Sequence, residues 1–198
     1  MDEQSLPPQQ SLLLIESMIN KAKNRFSENG FLYLLWGVVI FCNAITHFLL
    51  IKFTHIKQPE LVWLTCILAA AVQVFYIWRN NRNRTVKTYT EEMIDHIWLY
   101  FGISMLLISF ISIRFSNWMQ MYPIILMLYG IPTSLSGSVM RFTPLKLGGG
   151  FCFLLSILST YCMNEYILLL LAAAVCAAWI VPGIILKAKH KRQRYDQR

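Results

Sequence analysis

Charge is what this chain has least of. Asp, Glu, Lys and Arg make up 14% of its 198 residues, against roughly 25% in soluble domains. Long stretches carry none, so the 56% of hydrophobic residues must find a solvent other than water. Paired cysteines are missing as well. Cys42, Cys66, Cys152, Cys162 and Cys176 stand singly, without a CxxC or a nearby His and Asp set of the kind that holds zinc. They read as small apolar packing residues, and no metal or other cofactor is expected. No nucleophile with a base in reach can be assembled either, which argues against an enzyme. Asp2 and Glu3 open the chain and no apolar run precedes Phe31. The first crossing is therefore expected to serve as its own insertion signal.

What the sequence does contain is six uncharged, mainly apolar runs: 31–51, 61–78, 97–113, 121–140, 147–162 and 166–186. Each is close to the roughly 17 to 25 helical residues that cross a hydrocarbon core. Runs such as "YILLLLAAAVCAAWIVPGIIL" have no polar face at helical spacing, which excludes a pair of soluble helical domains. The expectation is an all-α polytopic membrane protein: residues 1–30 an amphipathic helical segment, 31–186 a bundle of six transmembrane helices, and 187–198 a basic tail. "TYTEEMIDHIW" after the basic linker "RNNRNRTVK" places Thr88 and Glu91 at capping-box spacing. The third helix should thus start before it enters the bilayer.

Basic residues divide unevenly between the two sides. Fifteen of the eighteen Lys and Arg fall before the first run, between the second and third, between the fourth and fifth, or in the tail. Only Lys52, Lys57 and Arg114 fall in the opposite connections. By the positive-inside rule both termini are expected in the cytoplasm. The outer connections are too short for a folded domain, so any soluble partner should be cytosolic.

Leu12, Ile15, Ile19, Ala22 and Phe26 form one helical stripe, suited to the membrane surface or to a partner helix. The tail "KAKHKRQRYDQR" suits anionic lipid headgroups. No aromatic platform accompanies it, which speaks against nucleic acid. Trp63, Trp78, Trp98 and Trp118 lie near the ends of runs and read as an interfacial aromatic belt.

No Asp, Glu, Lys or Arg lies inside any of the six runs, which counts against a proton-driven pump. The polar candidates are Asn43 and His47, four residues apart on the first helix, and Gln73 on the second. They read first as interhelical hydrogen bonds, and second as a polar cavity in which His47 titrates with external pH. The stretch "YGIPTSLSGSVM" at 129–140 is the other candidate. Gly130, Ser134 and Ser138 recur every four residues, and so do Gly148, Cys152, Ser156 and Thr160. Such stripes let membrane helices approach closely. Pro132 adds a kink, or alternatively a helix break that borders a transport path.

"SLSG" at 134–137 resembles the nucleophile motif of rhomboid intramembrane proteases only at Ser136 and Gly137. The base those enzymes take from a sixth-helix histidine has no counterpart here. A broader resemblance rests on "IESMINKAKNRFSENGFLYLLWG", an amphipathic helix passing through a glycine into an LLWG-type first crossing. It resembles small six-helix inner-membrane proteins of bacteria. The resemblance implies the fold and the membrane and carries no activity. The leading expectation is a non-enzymatic scaffold or regulatory component that acts through its cytosolic face on a protein partner or as a homo-oligomer. The alternative is a small transporter or channel subunit with a path near Pro132.

Overall fold

A computed structural model describes residues 12–13, 30–54, 56, 58–81, 89–115, 118–162 and 164–195. Leu12 and Leu13 are helical and exposed. The rest of the expected amphipathic helix, the linker 82–88 with Thr88, and residues 196–198 lie outside the described residues. Every regular element among the described residues is helical. We number them α1 (Gly30–Phe53), α2 (Thr65–Asn81), α3 (Tyr89–Phe115), α4 (Trp118–Val139) and α5 (Thr143–Ser159). The last helix, α6, runs through Ile167–Val175, a π-helical turn Cys176–Ile180, and Val181–Tyr195. A 3₁₀ segment, Pro59–Leu64, leads directly into α2.

Among the described residues four helical stretches are long and apolar enough to cross a membrane: Gly30–Phe53, Pro59–Arg79, Tyr89–Phe115 and Ile167–Lys189. Thr143–Ser159 is a shorter apolar helix. Two prolines, Pro123 and Pro132, interrupt the apolar character of α4 together with its Gly, Ser and Thr residues. The described part of α3 starts at Tyr89, eight residues before its apolar run, and the expected cap Thr88 falls outside the described residues.

The packing is uneven. The large side chains of α2 and α3 are mostly exposed: Ala69 is the one buried apolar residue of α2, and Glu91, Ile94 and Ser112 are the buried residues of α3. Soluble monomers do not expose apolar faces of this extent, whereas lipid tails cover them at no cost. The buried core belongs to α1, α4, α5 and α6.

Glycines set the distances within that block. Helices α1 and α6 run antiparallel. A Cβ on Gly30 would stand 3.3 Å from the Gly183 carbonyl oxygen, and one on Gly37 would stand 2.8 Å from Ile180 Cγ1. At the far end Lys52 Nζ lies 3.3 Å from Glu165 Oε1 and 3.3 Å from the Tyr166 hydroxyl. Its ammonium also sits 5.2 Å from the Tyr166 ring centroid. The Glu165 carboxyl is held below the usual carboxylate range by its own backbone N–H and by Lys52. It therefore stays ionised until the pH falls below the ordinary carboxylate titration near about pH 4. Both partners are solvent-accessible, so this clasp orients the helix ends more than it stabilises them.

The turn between α4 and α5 is short because α4 ends in a Schellman motif. Phe142 N–H bonds the Gly137 carbonyl at 2.8 Å and Arg141 N–H bonds the Ser138 carbonyl at 3.2 Å. Arg141 takes the left-handed conformation, φ 50°, at the position where glycine is usual. Pro144 then opens α5, where a missing N–H costs nothing. The two helices are thereby forced side by side from their first residues.

Candidate functional site

Two regions gather the polar and small residues that the sequence singles out. The first is the hairpin of α1 and α2. Steps forward on α1 meet steps back on α2. Trp36 Nε1–H donates to Gln73 Oε1. Thr65 Oγ1–H donates to Asn43 Oδ1 at 2.8 Å, while Asn43 Nδ2 lies 3.5 Å from Cys66 Sγ. Trp63 Nε1–H donates to His47 Nδ1 at 3.0 Å. Asn43, His47 and Gln73 thus occupy one hairpin, but each has its own partner rather than meeting in a common cluster.

Asn43 and His47 are buried, so these bonds satisfy groups that would otherwise be costly in an apolar interior. The Thr65 hydroxyl also lies 2.8 Å from the Val62 carbonyl. With a single proton it serves one acceptor at a time. The partners Trp36, Trp63 and Thr65 were not singled out as binding partners by sequence reasoning, because their pairing exists only once the hairpin closes. Gln73→Leu is expected to leave the Trp36 N–H unpaired and to lower stability in detergent by about 0.6 to 2 kcal/mol. Thermal unfolding followed by size-exclusion chromatography checks this, with Gln73→Glu kept as the polar control.

Trp78 is exposed, as an interfacial aromatic requires. Trp63 instead bonds His47, and Trp98 packs half-buried against the core. The side chain of Trp118 lies outside the described residues.

The second region is the interior of α4, α5 and α6. Gly130, Ser134 and Gly137 form the contact stripe of α4. A Cβ on Gly149 of α5 would stand 2.1 Å from Ser134 Oγ, 2.7 Å from Ser134 N and 2.8 Å from the Gly130 oxygen. One on Gly137 would stand 2.7 Å from Lys146 N. Ser138, four residues after Ser134, is exposed, and Gly137 makes the contact in its place. The opposite face of α5 meets α6. Gly148 packs on Ala177 and Ala178, and Cys152 Sγ lies 3.9 Å from the Ala174 carbonyl. Pro132 is buried in a helix that continues from Trp118 to Val139.

The π turn lies where these contacts converge. Val181 N–H bonds the Cys176 carbonyl, one residue farther back than an α-helix allows. Pro182, the next residue, has no N–H. The Ala177 carbonyl thereby lacks the N–H of Val181 that an α-helix would offer it, and that oxygen faces Gly148, 2.6 Å from where a Cβ would stand. Glycine lets the Cα–H edge reach it as a weak donor.

The same turn carries Trp179 into the core. Its ring lies 4.7 Å from Tyr129, 5.8 Å from Trp98 and 6.3 Å from Phe101, centroid to centroid. Trp179 Nε1–H donates to Thr133 Oγ1 at 2.9 Å, and Thr133 Oγ1–H donates to the Tyr129 carbonyl at 2.7 Å. Tyr33 of α1 completes the group, 5.5 Å from Trp98 in edge-to-face contact. Its hydroxyl lies beside Ser136 and Trp98, and neither it nor Ser136 Oγ makes a hydrogen bond of good geometry among the described residues.

Among the described residues no three His, Cys, Asp or Glu side chains converge as a metal site would require. Compared with protein families, with curated proteins and with solved structures, the chain matches none. The functional reading therefore rests on the geometry and the sequence.

Proposed function

We propose that the chain is a six-span protein of the bacterial inner membrane, with both termini in the cytoplasm, acting as a structural or regulatory component without catalysis of its own. The observation that carries this reading is the dense interior. Gly130, Gly137, Gly148 and Gly149 leave no room for a methyl group, and Asn43, His47 and Gln73 of the first hairpin each have a hydrogen-bond partner. Such an interior is suited to holding a shape. The charge asymmetry supports the orientation, and the apolar exterior of α2 and α3 supports the bilayer.

In this reading the bundle is a platform, and its cytosolic segments, 1–30, 82–88 and the basic tail, meet a soluble partner, a second copy or anionic headgroups. The test is in-cell crosslinking followed by purification, comparing the full chain with a variant lacking residues 12–26. A stoichiometric cytosolic protein or a second copy captured by the full chain and lost in the variant is the expected result. Equal capture by both, or none by either with an unchanged growth phenotype, contradicts it.

A transport path beside Pro132 is the competing reading, favoured by the unpaired hydroxyls of Tyr33 and Ser136. Solute flux in proteoliposomes that disappears in Ser136→Leu, Asn43→Leu or Gln73→Leu would replace the platform by a transporter.

A further inference from the structure

The bond between Trp63 and His47 constrains the protonation of a buried imidazole. An indole nitrogen only donates, so His47 Nδ1, 3.0 Å from Trp63 Nε1, must be the bare nitrogen. The histidine is then neutral with its proton on Nε2. A second proton would have to enter at Nδ1, directly opposite the indole N–H. The rings meet at 83°, so the imidazole faces the N–H edge of the indole. That edge is the positive end of the ring quadrupole and offers a cation no attraction.

Among the described residues one carboxylate acts on this histidine: Glu60, three residues before Trp63 on the same 3₁₀ segment. Lys52 and Glu165, toward the same end of the bundle, are paired with each other. On α2, Cys66 is engaged by Asn43. Thr65, the first residue of α2, reaches Asn43 Oδ1 through a contact that does not involve His47. The segment therefore has a fixed end at Thr65 and a titratable attachment two residues earlier.

We propose that Pro59–Leu64 is an acid-responsive latch. It is held on α1 by the Trp63–His47 bond at neutral pH and re-seated about Thr65 when protonated His47 exchanges Trp63 for Glu60. The proton that binds at Nδ1 comes from solvent at the Lys52 end of the bundle. That this end faces outward rests on the orientation proposed above, whereas the exchange itself does not.

The sign follows from the bond. The attachment to Trp63 exists only while the imidazole is neutral, so it is present above the histidine titration and lost as the pH falls through it. The test uses the full chain in nanodiscs, where both faces meet the same buffer and the outcome is independent of orientation. Spin labels at Leu61 and Tyr161, both exposed, report the position of the segment between about pH 8 and about pH 4.5. Nitrogen NMR of the ¹⁵N-labelled imidazole reports the tautomer.

The expected result is an Nε2–H tautomer at the alkaline end and a shift of the label distance on acidification. His47→Gln, whose side-chain oxygen still accepts from Trp63, should hold the neutral-pH distance throughout. Glu60→Gln should need a lower pH for the same shift. A label distance unchanged across the range, a pH response that survives in His47→Gln, or an Nδ1–H tautomer at alkaline pH would each overturn the proposal.

Discussion

Gly149→Ala is expected to be among the most damaging single-methyl changes in the chain. Its new Cβ would meet Ser134 N at 2.7 Å and the Gly130 oxygen at 2.8 Å. These are backbone atoms of α4 and cannot rotate away as the Ser134 hydroxyl can. The Schellman turn at Arg141 also ties the two helices together, so they cannot slide apart without breaking that turn. Overpacking of this kind costs roughly 1 to 3 kcal/mol or more. Alanine recovers up to about 1 kcal/mol of helix propensity, too little to offset a backbone clash. The expected outcome is a clear loss of monodisperse protein and a fall in the unfolding temperature of roughly 5 to 10 °C.

Gly150→Ala, one residue on, supplies the internal control. No atom lies within 4 Å of its would-be Cβ, so the same chemistry on the same helix should be neutral or slightly stabilising. Equal effects at the two positions would mean that α4 and α5 are not in this contact.

Trp179→Ala should cost still more, about 3 to 5 kcal/mol by analogy with other buried aromatics. It removes a side chain that is 2% exposed and in contact with the rings of Trp98, Phe101 and Tyr129. Those three come from two other helices, so the loss uncouples α3 and α4 from α6. Trp179→Phe separates the contributions. It keeps much of the ring packing and loses the bond to Thr133. The Thr133 hydroxyl still donates to the Tyr129 carbonyl, so no buried donor is orphaned. A drop of about 1 kcal/mol is expected for Phe. Thermal unfolding of the three proteins in one detergent checks the order: native, then Phe, then Ala. An Ala variant as stable as the native protein would show that these rings do not form the core.

The helices themselves were legible because membrane solvation writes a one-dimensional signal. An uncharged run of sufficient length reads the same whatever it packs against, and the helix at Gly30–Phe53 follows the run 31–51 closely. Pairings were not legible, since nothing in the sequence near Gln73 points to Trp36 rather than to another donor. Trp63 and Trp98 carry the same interfacial signal as Trp78 and differ only through their neighbours in space.

The small-residue stripe was read at a strict period of four. A helix turns once every 3.6 residues, so after Ser134 the contact drifts to Gly137 and leaves Ser138 outside. The π turn gave no signal before Pro182, although a proline one turn after a run of small residues is a place where a helix can shift its bonding. Arg141 shows the opposite failure, since a left-handed cap filled by arginine carries none of the usual glycine mark.

The most direct test of the central claim, that the interior of α4 is packed rather than water-lined, uses one cysteine. Ser136 is fully buried. Ser136→Cys in a cysteine-free background is treated with a membrane-impermeant thiol reagent in intact cells and in inverted vesicles, beside Lys189→Cys on the exposed face of α6. The expected result is no labelling of Ser136→Cys from either side, with Lys189→Cys reacting in the vesicles alone. Labelling of Ser136→Cys from either side would contradict a sealed interior and put water, and a path for solutes, where packing is claimed.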